Sequence, residues 1–354
     1  MSSPIGVAII GSGIFVKEEH LPAVLDSPDL SLKAIYSRSL ASAKSVSESA
    51  SLKDIDLYSE DSRSLADLLA RSDISAVIIA LPIPNQPKYI KQCLSAGKHV
   101  LAEKPIAKDV ATAKELLAWY HENVDTSKVF FAIAEQYRFM APFNVGAQRI
   151  SSLGKILNFR VRMQTCIQPD MKYLATSWRK EPEYQGGFLL DGGVHFVAGM
   201  RRLLGSQGGK LTRVSALTTL HQDYLPPVDT VDAVFRLASG GQGTFSLSFG
   251  STGTGTEWSV ACEKGEVSVS PFPGDDKGVS VKAKGEKEGK YEKADDEFGG
   301  VKTEVFAWAK SLKDGKPNPL QSAEEALADL EVLEAMLRSG EKGGEGIELN
   351  LQTA

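Results

Sequence analysis

Over the first third of the chain, unbroken apolar runs alternate with stretches whose apolar residues recur at helical spacing. IGVAII at 5–10 is a continuous, β-branched run, the pattern of a strand buried on both faces of a parallel sheet. SLKAIYS at 31–37, AVIIAL at 76–81, KHVLA at 98–102 and KVFFAIA at 128–134 repeat it. Between them lie amphipathic segments: one carrying Leu21, Val24 and Leu25, another in SLADLLARSD, and a third over 86–96 that stops at Gly97, a residue suited to a helix C-cap. Strands alternating with helices in this way predict an α/β domain on a parallel, doubly wound sheet.

The pattern then changes period. In KILNFRVRMQT, Leu157, Phe159, Val161 and Met163 alternate with polar partners, and DTVDAVFRLA at 229–238 does the same. Period two marks strands with one buried face. GQGTFSLSFG follows a glycine-rich turn, and EWSVACEKGEVSVS reads as a hairpin. Residues 273–300, rich in Lys, Glu, Asp and Gly, are expected to form a charged hairpin and its loops. VKTEVFAWAKSLKDG and SAEEALADLEVLEAMLRSG return to helical spacing, with Gly315 and Gly340 as C-cap candidates.

A chain of 354 residues suits about two domains. Its net charge of -5 gives no basic footprint for nucleic acid and argues against an anionic membrane surface. No apolar run approaches the length that spans a bilayer, and the N-terminus lacks the features of a signal peptide. Cys93, Cys166 and Cys262 are widely spaced and odd in number, which fits neither a disulfide framework nor a zinc site. The expected location is cytoplasmic.

Candidate chemistry sits where the strands end. Gly11-Ser12-Gly13-Ile14-Phe15 follows the first strand directly. Gly11 permits a tight strand-to-helix turn, and Gly13 lets the backbone approach a pyrophosphate at a helix N-terminus. Val16 stands where a G-x-G-x-x-G motif has its third glycine, which implies a slightly displaced helix. The second strand ends in Ser37-Arg38-Ser39, with a guanidinium in place of the acid that binds the ribose of NAD. Such a group can fork onto a 2′-phosphate, so the expected cofactor is NADP(H), with NAD as the competing choice. Leu81, Pro82, Asn85 and Gln86 leave the end of the 76–81 strand and are expected along the cofactor. Glu103-Lys104-Pro105 follows the 98–102 strand, which directs Lys104 toward the cofactor crevice. Tyr137 and Arg138 lie just past 128–134 and are expected to line the substrate pocket, with Tyr173 and Tyr184 as weaker candidates.

GGFLLDGGVHFV at 186–197 places Asp191 and His195 four residues apart. A pair of this kind serves a metal, a structural turn or proton transfer. Metal binding needs further ligands, and the remaining histidines show no ligand spacing; no metal is expected. Gly192-Gly193 argue against a continuous helix from Asp191 to His195 and point to close substrate approach.

GSGIF, AEKPIA, AEQYRF and SWRKEPEYQGGFLLDGGVH resemble the GFO/IDH/MocA oxidoreductases over essentially the whole chain, and GIFVKEEHLP with WRKEPEYQGGFLLDGGVH is most similar to a fungal, cytosolic NADP(H)-dependent branch. The resemblance implies a Rossmann domain over 1–135 and, over 136–354, an α/β domain built on a large, mostly antiparallel open sheet that pairs two subunits as a homodimer. It implies that Gly11 and Gly13 belong to the phosphate loop, that Lys104 lies beside the nicotinamide, that Asp191 and His195 are the ends of the D-x-x-x-H motif, and that Trp178 and Arg179 contact NADP. Relatives often carry an acid three residues after the motif histidine; Ala198 stands there instead. The function so implied is hydride transfer between nicotinamide and a small hydroxy or carbonyl compound of sugar, polyol or diol type. His195 would serve as acid/base, Lys104 as carbonyl donor, and Asp191 as a hydrogen-bonding partner of substrate. The alternative is a non-catalytic NADP-binding sensor or regulator.

Overall fold

The computed structural model describes residues 3–205, 208–272, 277–295 and 300–353. The chain divides into two compact units, Met1–Glu135 with Val301–Ala326, and Gln136–Gly300 with Leu327–Ala354.

The first unit holds six parallel strands: β1 Ile5–Ile10, β2 Leu30–Ser37, β3 Asp56–Ser59, β4 Ala76–Ile79, β5 His99–Glu103 and β6 Phe131–Ala134. Their order is β3-β2-β1-β4-β5-β6. The sheet is doubly wound, and its order reverses between β1 and β4. Ligands of such sheets bind outside the strands' carboxyl ends at that point. The apolar runs are strands because both faces are covered: Val7, Ile9, Ile35, Ile78 and Leu101 are fully buried.

The linear division at residue 135 assigns everything after it to the second domain, whereas residues 301–326 pack with the first unit. Val301, Val305, Trp308 and Ala309 from the Gly300–Asp314 helix join the same core as Val7, Ile9 and Ile78. Lys302 and Lys313 then pair with Asp26 and Asp29 at 2.7 and 2.6 Å. A returning helix is invisible to a reading that follows the chain in order, because its amphipathic period does not name the surface it covers.

The second unit is built on a nine-stranded sheet. Its strands are β7 Ile156–Cys166, β8 Leu211–Thr219, β9 Thr230–Leu237, β10 Gln242–Ser248, β11 Gly250–Cys262, β12 Gly265–Ser270, β13 Gly278–Ala283, β14 Lys290–Lys293 and β15 Ile347–Glu348. The order is β14-β13-β12-β11-β7-β10-β9-β8-β15, antiparallel except for β7 with β10. The charged hairpin is β13 and β14, while residues 273–276 and 296–299 of that stretch lie outside the described residues.

Strand β7 departs from the expected alternation at Leu157, which is 48% exposed while Ile156 is buried. The β7–β11 register shifts between Ala261 and Cys262, opposite this point. Such a bulge adds one residue to a strand and reverses the facing of its neighbours; beyond it Phe159 and Val161 point inward as expected.

Gly187–Leu204 is one continuous helix of 18 residues, contrary to the expectation of a break at Gly192-Gly193. The glycines serve packing. A Cβ on Gly192 would stand 2.9 Å from Phe249, one on Gly193 3.1 Å from Leu247, and one on Gly199 2.9 Å from Phe143. The space beside Gly192 and Gly193 is thus occupied by protein side chains, and the proposed close approach of substrate there does not hold. Gly340 is likewise no C-cap: it lies inside the Ala323–Glu341 helix, and its missing Cβ admits Thr218 Oγ1 at 2.3 Å from where that Cβ would stand. Gly315 does follow its helix with φ +64°.

Candidate active site

In the first unit, β1 runs straight into Gly11, whose φ is +133° and whose N–H donates to Tyr36 O at 2.9 Å. A Cβ there would lie 2.2 Å from Ala80 O, so both backbone conformation and space exclude other residues. Around Gly13 nothing lies within 4 Å of a built Cβ. The turn therefore combines a sealed floor with an open rim at a helix start, which fits a pyrophosphate. Val16 is fully buried, and the chain widens into a π-helical turn at Val16–His20 before the Leu21–Asp26 α-helix. One extra residue in a turn makes room for the bulk.

At the end of β2, the two serines are already engaged. Ser37 Oγ lies 2.7 Å from Ser12 Oγ, which ties β2 to the phosphate loop. Ser39 caps the Leu40–Ser49 helix by accepting from Ser42 N at 3.2 Å. Arg38 between them is exposed. Of the three, Arg38 is the group poised to reach outward.

Past β4, Ile83–Asn85 forms a single 3-10 turn. Leu81 and Pro82 are half-buried and Asn85 is exposed, but Gln86 is fully buried. Its Nε2 stands 3.5 Å from Pro105 O, and its Oε1 lacks a partner. Gln86 thus braces the turn that carries Lys104. Glu103 also turns inward, 2.6 Å from His20 Nε2. Lys104, half-buried, follows at the carboxyl end of β5. Sequence reading missed His20, since nothing in helical spacing distinguishes a buried partner of Glu103 from any other histidine in a first helix.

In the second unit, Asp191 and His195 lie one turn apart on the same face of the Gly187–Leu204 helix. Asp191 is 5% exposed and accepts from Arg179 Nε at 2.7 Å. Arg179 in turn lies 3.9 Å above the Trp178 ring and 5.6 Å from that of Tyr173. The W-R pair therefore acts as a clamp that fixes the direction of the Asp191 carboxylate through a charge-assisted hydrogen bond. Tyr184 is buried in the same region, and burial followed by the Asp191 charge pushes its hydroxyl pKa up. His195 is half-buried and stacks on Tyr137, with ring centroids 4.9 Å apart and planes 16° from parallel. Stacking uses the ring face and sets its plane, while proton exchange takes place at the edge nitrogens.

Tyr137 thus stands beside His195, but its neighbour Arg138 does not join it. Arg138 is 2% exposed and paired with Asp329, which also takes Arg201 Nη1 at 2.6 Å. The expectation of Arg138 as a pocket residue is corrected: its charge is spent inside the unit, with Asp329 bridging two buried guanidiniums. No group of three or more His, Cys, Asp or Glu among the described residues could hold a metal ion. No helix among the described residues is long and apolar enough to cross a membrane.

A doubly wound parallel sheet with a glycine turn after its first strand, joined in one chain to a large, mostly antiparallel sheet, is the architecture of a family of nicotinamide-dependent oxidoreductases. The chain belongs to the GFO/IDH/MocA family: residues 5–131 match its NAD-binding Rossmann fold and residues 148–349 its C-terminal alpha/beta domain. It is 40% identical to a dehydrogenase, FPY6, of Fusarium mangiferae over 95% of this chain and 96% of that protein. It is 31% identical to a dTDP-3,4-didehydro-2,6-dideoxy-alpha-D-glucose 3-reductase of Streptomyces violaceoruber over 57% of this chain and 55% of that one. An oxidoreductase of Thermotoga maritima superposes with a TM-score of 0.84 at 26% identity, covering 98% of both chains.

Proposed function

We propose that this protein is an NADP(H)-dependent oxidoreductase that moves a hydride between nicotinamide and a CH–OH or C=O carbon of a small sugar, polyol or diol. The observation that carries the reading is the helix face on which His195, its plane set by Tyr137, stands one turn from the Arg179-clamped Asp191. A binding module has no use for a proton-transfer group beside an oriented carboxylate. Nicotinamide supplies or accepts the hydride when bound. His195 takes the hydroxyl proton during oxidation and returns it during reduction. Lys104 donates a hydrogen bond to the carbonyl oxygen. Asp191 accepts from a substrate hydroxyl and so orients it. Gly11 to Phe15 seat the phosphates. A sugar-type substrate is supported by the nucleotide-sugar reductase among the relatives.

The preference for NADP rests on Arg38, exposed at the end of β2, between serines that are already engaged. Fluorescence titration should show NADPH binding more tightly than NADH. Arg38→Ala should reduce that gap by about tenfold or more, since a charge-assisted hydrogen bond contributes about 1.5–3 kcal/mol. Equal affinities in the wild type would sink the cofactor assignment.

We further propose a homodimer formed through the nine-stranded sheet. On its outer face Leu217 and Val234 are 61% and 55% exposed and lie on one side, because Leu217 is paired with Asp232 and Val234 with Ser215. Arg160 and Arg162 continue this face across β10. Sedimentation should give a dimer, and Leu217→Asp should shift it toward monomer. A monomeric wild type at micromolar concentration would refute the assembly.

A further inference from the structure

We infer that His20 is a positioning residue: through its buried bond to Glu103 it links the phosphate loop to Lys104, so that the loop that seats the cofactor also sets the place of the lysine. The inference rests on the catalytic reading of Lys104 given above and extends it to residues that contact neither substrate nor hydride.

Three contacts within the first unit make the chain. Gly11 and Gly13 shape the loop, and Phe15 follows it directly before the π-helical turn. The Phe15 ring meets the His20 imidazole edge-on, with centroids 5.3 Å apart and planes 79° from parallel. His20 is 0% exposed, and its Nε2 lies 2.6 Å from Glu103 Oε1. A carboxylate only accepts, so Nε2 carries the hydrogen. Glu103 is the residue before Lys104, so its side chain fixes the backbone from which Lys104 departs. Gln86 steadies the other side of the same turn at Pro105 O.

Two features set this bond apart from an ordinary ion pair. It is almost fully removed from water, where a hydrogen bond to a charged group is stronger and more directional. It also joins segments that are 83 residues apart in sequence. The π-helical turn at Val16–His20 provides the reach: it supplies the extra residue within the turn that separates Phe15 from His20. Nδ1 of His20 has no hydrogen-bond partner, so the ring is held by Glu103 on one edge and by Phe15 against it.

The test reads Lys104 directly. Reductive methylation of the folded protein, with NADP+ and without it, is followed by peptide mass spectrometry, with the exposed Lys108 as internal reference. His20→Ala and Glu103→Ala should each change the Lys104/Lys108 labelling ratio by about threefold or more and remove its response to NADP+, while the cofactor dissociation constant moves by less than about threefold. The double variant should be no worse than either single one. His20→Gln, whose amide N–H can still donate to Glu103, and Glu103→Gln, which keeps an acceptor, should restore the wild-type ratio. In steady-state assays kcat should fall about tenfold in the alanine variants with substrate KM little changed, as expected of a lost transition-state interaction. Unchanged labelling and kcat in both alanine variants would overturn the inference. So would a loss that tracks cofactor affinity and melting temperature and is not rescued by His20→Gln. Labelling that responds as described in a protein without turnover would retain the coupling and reject the catalytic reading alone.

Discussion

Lys104→Ala is expected to lower kcat by about 10²–10⁴-fold, the range of a lost acid/base or carbonyl-polarising group, while NADPH still binds within about threefold of wild type. The lysine follows β5 at its carboxyl end, whereas in the proposed reading the phosphate loop and Arg38 take the far end of the cofactor, so chemistry and binding should separate. His195→Ala should lose a similar factor, but it also removes the ring stacked on Tyr137. His195→Phe keeps a ring in that stack and deletes only the proton-transfer nitrogens. It should therefore be as inactive as the alanine variant and melt nearer the wild type. Steady-state kinetics with fluorescence titration of NADPH checks both. Turnover retained in a Lys104→Ala/His195→Ala double variant would remove the mechanism.

Asp329→Ala should be the most damaging single change to stability outside the site. Asp329 is 1% exposed and faces two buried arginines, Arg138 and Arg201. Arg201 keeps Gln352 Oε1 and Thr353 Oγ1, both at 2.8 Å, but neither carries a charge. Removing the shared carboxylate breaks both of these buried pairs at once, which costs about 3–5 kcal/mol. For a unit of this size the melting temperature should fall by roughly 10 °C. Calorimetry of the variant decides between this account and a direct substrate role for Arg138. In the second case KM would rise with little loss of stability.

The first sheet was legible because strands covered on both faces are written as uninterrupted apolar runs, and the order of strand, glycine turn and helix is itself the signature of the fold. The hairpins of the second sheet were legible for the complementary reason, since one wet face leaves every second residue polar. Errors arose where a tertiary contact overruled a local rule. Gly192 and Gly193 read as a helix break, yet they sit within a helix whose burial against Phe249 and Leu247 outweighs their weak propensity. Leu157 read as core, but a bulge in the partner pairing turned it outward. Arg138 read as a ligand-facing cation, since a sequence cannot show that Asp329, 191 residues away, has claimed it. Of the candidate site, the glycine loop, Arg38, Lys104, Asp191 and His195 were nominated from motif and position. The clamp on Asp191 and the bond from His20 to Glu103 were not, because both depend on side-chain directions that only the folded backbone sets.

The central claim is that the clamped acid, the histidine and the lysine carry out NADP-linked hydride transfer. A screen of sugars, polyols and small carbonyl compounds with NADP+ and with NADPH, followed by nicotinamide absorbance, tests it most directly. The account predicts turnover of at least one polyhydroxylated or carbonyl compound, faster with the phosphorylated cofactor and lost in Lys104→Ala. Tight NADPH binding with no turnover of any compound, or the same rate in wild type and Lys104→Ala, would contradict it and favour a cofactor-binding sensor.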